Sequence, residues 1–274
     1  MGAVPIEFSA VCAAIEDTGE QVTALLRSLD HTATAVPRSR WTVGDVAAHL
    51  ATDLGINADA ASGVAFDTDM PAHARTAERM VSLNARAVAQ VSERDPGKLA
   101  DLVEAAVASL LGTIIGRSGS ERIATPWYSD DVVLDLDVLA CSMLGELVVH
   151  GHDIARAVGR RWPIDSPHAR LVLYGVASML PLYVDPGAAA GVTARYSIHV
   201  RGGQAFVVSL DKGIVAIEVP GAAVDCHISA DPVALLLVAY GRKGQWSQIA
   251  QGRMLAWGRK PWMALSFRGL FSDP

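Results

Sequence analysis

Residues 139–157 read LACSMLGELVVHGHDIARA, an apolar segment with a carboxylate and an imidazole near its middle. Its apolar positions recur at three- and four-residue intervals, which predicts a buried helix. Glu146 and His150 lie one turn apart, so both side chains project from the same face. Burying the two groups without partners would be costly. Two arrangements can provide partners for the carboxylate and the imidazole: both bind one divalent metal ion, or they form a mutual hydrogen bond that stabilises helix packing.

A second segment, WTVGDVAAHL at residues 41–50, predicts the start of another helix. Thr42 is placed to cap that helix, and Asp45 occupies the acidic position of a capping box. The segment therefore carries its own start signal.

His49 lies inside this second apolar helix. If the two helices pack together, His49 can meet Glu146 and His150 in a His, Glu, His set that leaves a coordination position open. Alternatively, His49 is a core histidine bonded to Asp45 or Asp53.

The first part of the chain, up to about residue 186, has helical periodicity with breaks at proline and glycine. Short loops between long helices predict a bundle. The helical segments are 6–29, 43–66, 77–93, 98–117, 132–158 and 168–184.

After the linker-like stretch at 185–191, the apolar residues alternate, which predicts strands. The strands are expected around 196–200, 206–210 and 215–219, with a helix at 232–240, a further strand at 252–258 and a final helix at 262–270. A second, α+β domain follows from this pattern. The domain boundaries are expected at 1–186 and 192–274.

Composition excludes several classes of protein. The chain has 274 residues, with 23 Lys plus Arg against 29 Asp plus Glu and a net charge of −6, which argues against nucleic-acid binding. No apolar window reaches the length of a membrane helix, so we expect no membrane partner. The N-terminal residues MGAVPIEFSA contain no cationic segment before an apolar stretch, so we expect a cytoplasmic protein. We expect a monomer or a homodimer. Three isolated cysteines in apolar surroundings are expected to be buried core residues (Cys12, Cys141 and Cys226).

The two motifs together resemble the mycothiol-dependent maleylpyruvate isomerase family, within the larger group of DinB-like metal-binding four-helix bundles. Residues 41–50 match its Trp-[Ser/Thr]-x-x-Asp-x-x-x-His-Leu pattern, and residues 146–153 match Glu-x-x-x-His-Gly-x-Asp. The second half looks like the family's C-terminal domain, which is similar to sterol carrier protein folds. The resemblance implies a multidomain α and α+β fold, with an N-terminal DinB-like four-helix bundle and a small C-terminal α+β sterol-carrier-like domain.

The resemblance also implies a chemistry. His49, Glu146 and His150 would hold a divalent metal, Zn2+ in the family, and the thiol of the cosubstrate mycothiol would approach it as a thiolate. That thiolate would isomerise a small electrophilic substrate or stay attached to it as an S-conjugate. Family membership does not fix the reaction. The alternatives are a sterol-carrier-like small-molecule or lipid-binding protein with a structural metal site, and a metal-dependent hydrolase.

Three further residues are assigned by the same resemblance. Arg242 corresponds to an arginine thought to hold a substrate carboxylate; the alternative is a solvated cation at a helix C-terminus. Trp127 is expected to line the thiol pocket or to form a hydrophobic staple together with Tyr128. Asp153 is expected to orient a metal ligand or cap a loop. His152, where the family more often has Trp, is expected to be exposed; the alternatives are a group that supports a metal ligand and a proton shuttle at the edge of the site.

Overall fold

The computed structural model describes residues 6–65, 76–221 and 223–272, so residue 66 of the expected second helical segment lies outside it. The chain forms two compact units, Glu7–Ile164 and the chain from Asp165 onward. This division comes earlier than the expected linker at 185–191. Helical periodicity shows that a helix buries one face but not which unit covers that face.

Five helices build the first unit. Helices α1 and α2 each contact both α4 and α5, which makes a four-helix bundle, and α3 packs against α2. A two-stranded antiparallel hairpin, β1 with β2, directly precedes α5. The elements are α1 (Phe8–Arg27), α2 (Val43–Ala61), α3 (Thr76–Gln90), α4 (Pro96–Ile114), β1 (Arg122–Ala124), β2 (Val133–Asp135) and α5 (Leu136–Ala157).

The start of α2 is fixed by the expected capping box. The Asp45 amide donates to Thr42 Oγ1 at 3.2 Å, and the Thr42 amide donates to Asp45 Oδ2 at 2.9 Å. Arg94 Nη2 pairs with Asp45 Oδ1 at 2.9 Å, which ties this helix start to the chain before α4. These contacts set where the face carrying His49 begins.

Helix α5 contains a glycine that packing requires. A Cβ at Gly151 would lie 2.2 Å from Cζ2 of Trp162, far inside van der Waals contact. The indole of Trp162 therefore lies directly against the α5 backbone, one residue after His150.

A five-stranded sheet forms the centre of the second unit, in the order β5-β4-β3-β6-β7. Only β3 and β6 run parallel; the other neighbours are antiparallel. Helix α6 packs against α8. The elements are α6 (Ser166–Met179), α7 (Pro186–Ala189), β3 (Thr193–Val200), β4 (Ala205–Asp211), β5 (Ile214–Glu218), β6 (Cys226–Ala230), α8 (Pro232–Ala239), α9 (Gln245–Ala250), β7 (Met254–Trp257) and α10 (Ala264–Phe267).

The expected fold class, a helical bundle followed by an α+β domain, is confirmed. Strand β6 and helix α9 were not expected, and the predicted final helix at 262–270 is α10 flanked by two 3-10 turns. The three cysteines are buried and free, as expected. Across the described ranges, every helix is too short or too polar to span a bilayer.

Candidate metal centre

Three predicted side chains meet inside the first unit. His49 comes from α2, and Glu146 and His150 come from α5. The Nε2 atom of His49 lies 3.1 Å from Glu146 Oε2, and the Nε2 atom of His150 lies 3.1 Å from the same oxygen. One donor atom from each residue falls within 4.8 Å of the others. The sequence motifs thus identify side chains that the fold brings to one point.

The cluster is partly sealed from solvent. The His49 side chain is 3% exposed, that of His150 14% and that of Glu146 21%. Trp41 packs its ring 5.0 Å from the His49 ring and 6.3 Å from the His150 ring, measured between centroids. Glu146 is therefore the most exposed of the three groups.

The charges of the cluster are strongly coupled. Burial acts to raise the pKa of Glu146, but hydrogen bonds from His150 and His49 outweigh it and hold that pKa below its usual range. Burial likewise opposes the charged form of His150, yet contacts with Asp153 and Glu146 raise the pKa of His150 to about 9. Without a metal, the imidazolium of His150 lies between the carboxylates of Glu146 and Asp153.

Asp153 stands behind one of the imidazoles. Its Oδ2 lies 3.4 Å from Nδ1 of His150, and the residue is 6% exposed. A carboxylate this close to Nδ1 favours the charged form of the ring, and Nε2 on the other side of the ring faces Glu146. Asp153 thus lies beside His150 rather than at the point where the three donor atoms meet, and its orienting role stays a prediction.

His152 does not have the exposed position expected for it. Its side chain is only 16% exposed, and its Nδ1 lies 3.7 Å from Asp153 Oδ1, beyond hydrogen-bond distance. The expectation was wrong because a helix buried on most sides, as α5 is, covers even residues that point away from the ligand face.

A second carboxylate belongs to the same charge cluster. Asp53 follows His49 by one turn of α2, and burial together with the negative charge of Glu146 raises its pKa to about 6. Asn57 Nδ2 donates to Asp53 Oδ1 at 3.4 Å. Sequence reasoning treated Asp53 only as a hydrogen-bond partner of His49, although the one-turn spacing was already visible.

The loop before α5 is held by a buried arginine that sequence reasoning missed. Arg79 of α3 is fully buried; its Nη2 donates to the carbonyl of Pro126 at 2.7 Å and pairs with Asp130 at 2.8 Å. Its Nε donates to the carbonyl of Trp127 at 3.3 Å. Nothing in the sequence marks this residue, because an arginine on an amphipathic helix ordinarily faces solvent.

The clamped loop carries the two aromatic residues that were expected near the pocket. Trp127 and Tyr128 are 4% and 3% exposed, with ring centroids 6.0 Å apart. Burial, and then the charge of Asp53, raises the pKa of Tyr128, whose hydroxyl also bonds Ser142. Tyr128 is thus electrostatically linked to the cluster, and Trp127 is its buried neighbour.

Arg242 lies in the second unit, just after α8. Its Nη1 donates to the carbonyl of Tyr240 at 2.7 Å, and its amide donates to the carbonyl of Leu237 at 2.8 Å. Gly241 has a φ of 68°, the left-handed conformation that ends many helices. This placement agrees with a cation at a helix C-terminus, and a catalytic role stays a prediction.

The donor set suits a divalent metal. Two imidazole nitrogens and one carboxylate oxygen form the His2Glu combination of catalytic zinc sites. Within the described ranges, no other group of three His, Cys, Asp or Glu side chains converges in this way. Three protein donors leave room for a ligand from outside the chain.

The fold is a helical bundle that brings three potential metal ligands together, and sequence comparison supplies the family. The model of the mycothiol maleylpyruvate isomerase N-terminal domain matches residues 15–155, a range that includes all three converging side chains. The chain belongs to this family. None of the curated proteins compared with the chain matches it significantly.

Two solved structures have a similar fold over most of the chain. A crystal structure of mycothiol-dependent maleylpyruvate isomerase is 15% identical, covers 87% of this chain and 90% of its own, and gives a TM-score of 0.55. A histidine-to-alanine mutant of mycothiol-dependent maleylpyruvate isomerase is 14% identical over 92% and 93%, with a TM-score of 0.56. The likeness spans both units of the fold.

Proposed function

We propose that this protein is a metal-dependent enzyme that uses mycothiol as cosubstrate to isomerise a small electrophile. The observation that carries the proposal is the convergence of His49, Glu146 and His150 within 4.8 Å. Family membership supports the choice of thiol, and the related fold is that of an isomerase acting on maleylpyruvate.

The three side chains would hold the ion, with Zn2+ the metal that best suits the donors. A bound divalent metal would supply charge that converts a thiol into a thiolate at neutral pH. Asp153 would keep the His150 ring turned, so that Nε2 and not Nδ1 points to the ligand position. Trp41 would shield both imidazoles from water, because its ring packs beside each of them.

The proposed isomerisation needs no reagent other than the thiolate and the substrate. The sulfur forms a bond to one alkene carbon of the substrate, and the π electrons move to the conjugated carbonyl oxygen. The former double bond is then a single bond and rotates. When the carbonyl re-forms, the electrons restore the alkene, the carbon–sulfur bond breaks and the thiolate is released. S-conjugation would differ only in that the sulfur stays on carbon after a proton is taken up.

Arg242 is proposed to hold a carboxylate of the substrate, because its guanidinium offers paired donors suited to that group. Trp127 and Tyr128 are proposed to shape the thiol pocket from the loop that Arg79 holds. Neither role is needed for metal binding, so each can be tested separately.

The test combines metal analysis with turnover. Purified protein is expected to contain one equivalent of metal and to consume maleylpyruvate only with mycothiol present; His150→Ala is expected to lose both metal and activity. His152→Ala, on the same helix, serves as the matched control and is expected to retain the metal. A folded wild type that binds no metal would contradict the proposal and favour a binding protein, and turnover without thiol would favour a hydrolase.

A further inference from the structure

Two histidines meet on the sheet of the second unit. His199 of β3 and His227 of β6 lie on neighbouring parallel strands, and Nε2 of His199 is 3.4 Å from Nδ1 of His227. Their ring centroids are 5.7 Å apart, and both side chains are half-buried. The pair is separate from the three converging side chains described above, which belong to the other unit.

The register of the strands fixes this pair. His227 is paired with Ser197, which precedes His199 by two residues, so both imidazoles stand on the same face of the sheet. Ile198, between Ser197 and His199, points to the opposite face and is buried in the core. Two hydrogen-bonded strands therefore hold the two ring nitrogens close together, and little rearrangement is needed before they share a ligand.

The spacing of the two nitrogens suits one metal ion. Imidazole nitrogens bind Zn2+ at about 2.0–2.1 Å, and two nitrogens at that distance from one tetrahedral ion lie about 3.3 Å apart. The 3.4 Å between His199 Nε2 and His227 Nδ1 matches this separation, but it is long for a hydrogen bond. An ion bound there would replace the bond of 2.9 Å between Ser197 Oγ and His199 Nε2.

Trp257 of β7 packs against both imidazoles. It is paired with His227 in the antiparallel register, and the two rings are stacked with centroids 5.2 Å apart and planes at 7°. The indole also stacks on His199, at 5.7 Å and 30°. These contacts restrict rotation of the imidazoles, and they place a fluorescent side chain beside the two nitrogens.

The protonation state of His199 favours metal binding. Partial burial, and then the neighbouring His227, lowers the pKa of His199 below its usual value. Its ring is therefore neutral at neutral pH and has a lone pair to offer, which a metal ligand requires.

We propose that His199 and His227 form a binding site for a late transition-metal dication, with Cu2+ bound most tightly. Imidazole ligands suit copper, nickel and zinc, whereas magnesium and calcium prefer oxygen ligands, and Cu2+ forms the strongest complexes of the divalent series. The pair supplies two donors, so water completes the coordination shell. The ion joins β3 to β6.

The stoichiometry of Cu2+ binding tests the proposal. The metal-free full-length protein is titrated in a buffer that contains glycine, which competes with weak surface sites. His199→Gln is expected to weaken binding of one equivalent by a factor of about ten or more, because one of its two protein donors is gone. His227→Gln is expected to do the same. His31→Gln, which removes an exposed histidine elsewhere, is the matched control and is expected to bind as the wild type does.

A second variant separates this site from the metal centre of the first unit. His150→Ala is expected to keep the equivalent that His199→Gln loses. If the first unit held no metal, the wild type would bind a single equivalent, lost in His199→Gln and kept in His150→Ala. Failure of the proposed function and failure of this inference are therefore distinguishable.

Fluorescence locates the ion. Bound Cu2+ quenches a neighbouring indole, so filling the site is expected to quench Trp257, whereas Mg2+ is expected neither to bind nor to quench. Trp257→Phe is expected to keep the equivalent and to lose that part of the quenching. Wild-type Cu2+ affinity and stoichiometry in folded His199→Gln and His227→Gln would overturn the proposal. Quenching that is unchanged in Trp257→Phe would place the ion elsewhere and overturn it as well.

Discussion

His49 and His150 present their imidazoles to the same oxygen of one carboxylate, with ring centroids 5.0 Å apart and ring planes at 86°. The two residues come from different helices and are far apart in the chain. Both Nε2 atoms contact Oε2 of Glu146, so the donor atoms of the three side chains lie close enough together to share an ion. This arrangement leads to predictions about the ligands and about the structure that holds them.

Asp153 should strengthen metal binding without being a ligand. Asp153→Asn removes the charge 3.4 Å from His150 Nδ1, and we expect metal affinity to fall by roughly 10- to 100-fold. Competition with a chromophoric chelator measures the change. Asp101→Asn, an exposed carboxylate on α4, is the control, and a similar loss in both variants would exclude a specific role for Asp153.

Arg79 should stabilise the bundle through the loop that it holds. Arg79→Met leaves the carbonyls of Pro126 and Trp127 without this charged donor, and we expect a loss of about 2–3 kcal/mol in the free energy of unfolding. Urea denaturation followed by circular dichroism measures it. Arg27→Met removes a more exposed arginine, whose ion pairs are screened by solvent, and should cost clearly less unfolding free energy than Arg79→Met. Equal losses of unfolding free energy in the two variants would show that the contacts of Arg79 with the loop add no extra stability.

Gly151 should tolerate no side chain while Trp162 is present. Gly151→Ala forces a Cβ into the indole, and we expect destabilisation of about 1–3 kcal/mol. The double variant with Trp162→Leu should recover part of it in a double-mutant cycle. Gly112→Ala, in α4 with open space around it, should instead stabilise the helix by up to about 1 kcal/mol. Additive losses in the double variant would refute the contact.

Asp225 should make the second unit sensitive to acid. Hydrogen bonds from Arg259, then from the amide of Arg195, lower the pKa of Asp225 to about 2. Because the folded pKa lies below the unfolded one, the stabilisation is complete above about pH 4 and is lost as pH falls toward 2. The stability difference between wild type and Asp225→Asn should therefore shrink between pH 5 and pH 2.5. A difference independent of pH would contradict this.

Local sequence patterns predicted the parts of the fold whose burial follows a simple period. The helix starting at Thr42 and the strands around Ile198 and Val208 were predicted because capping and alternation are encoded within a few residues. Strand β6 was missed because it is only five residues long and is followed at once by Asp231, the N-cap of α8. The unit to which α6 belongs could not be predicted in this way, because α6 packs against residues that are distant in the chain, such as those of α8.

The candidate site was predictable to the extent that its residues break an apolar pattern. Glu146 and His150 stand out in α5, and His49 stands out in α2. Arg79 and Asp53 do not stand out, since a charged residue on a helix is ordinarily solvated. Only the fold shows Arg79 buried against the loop before α5, and Asp53 half-buried within the charge cluster. His152 was misjudged for the related reason that α5 is covered on most sides.

X-ray absorption at the zinc edge, with and without mycothiol, tests the central claim most directly. The account predicts nitrogen and oxygen neighbours alone in the zinc-loaded protein and, on adding mycothiol, one sulfur neighbour at about 2.3 Å. Glu146→Gln and His150→Ala should abolish or weaken zinc loading itself. A spectrum of the loaded wild type that gains no sulfur neighbour at saturating mycothiol would contradict the account.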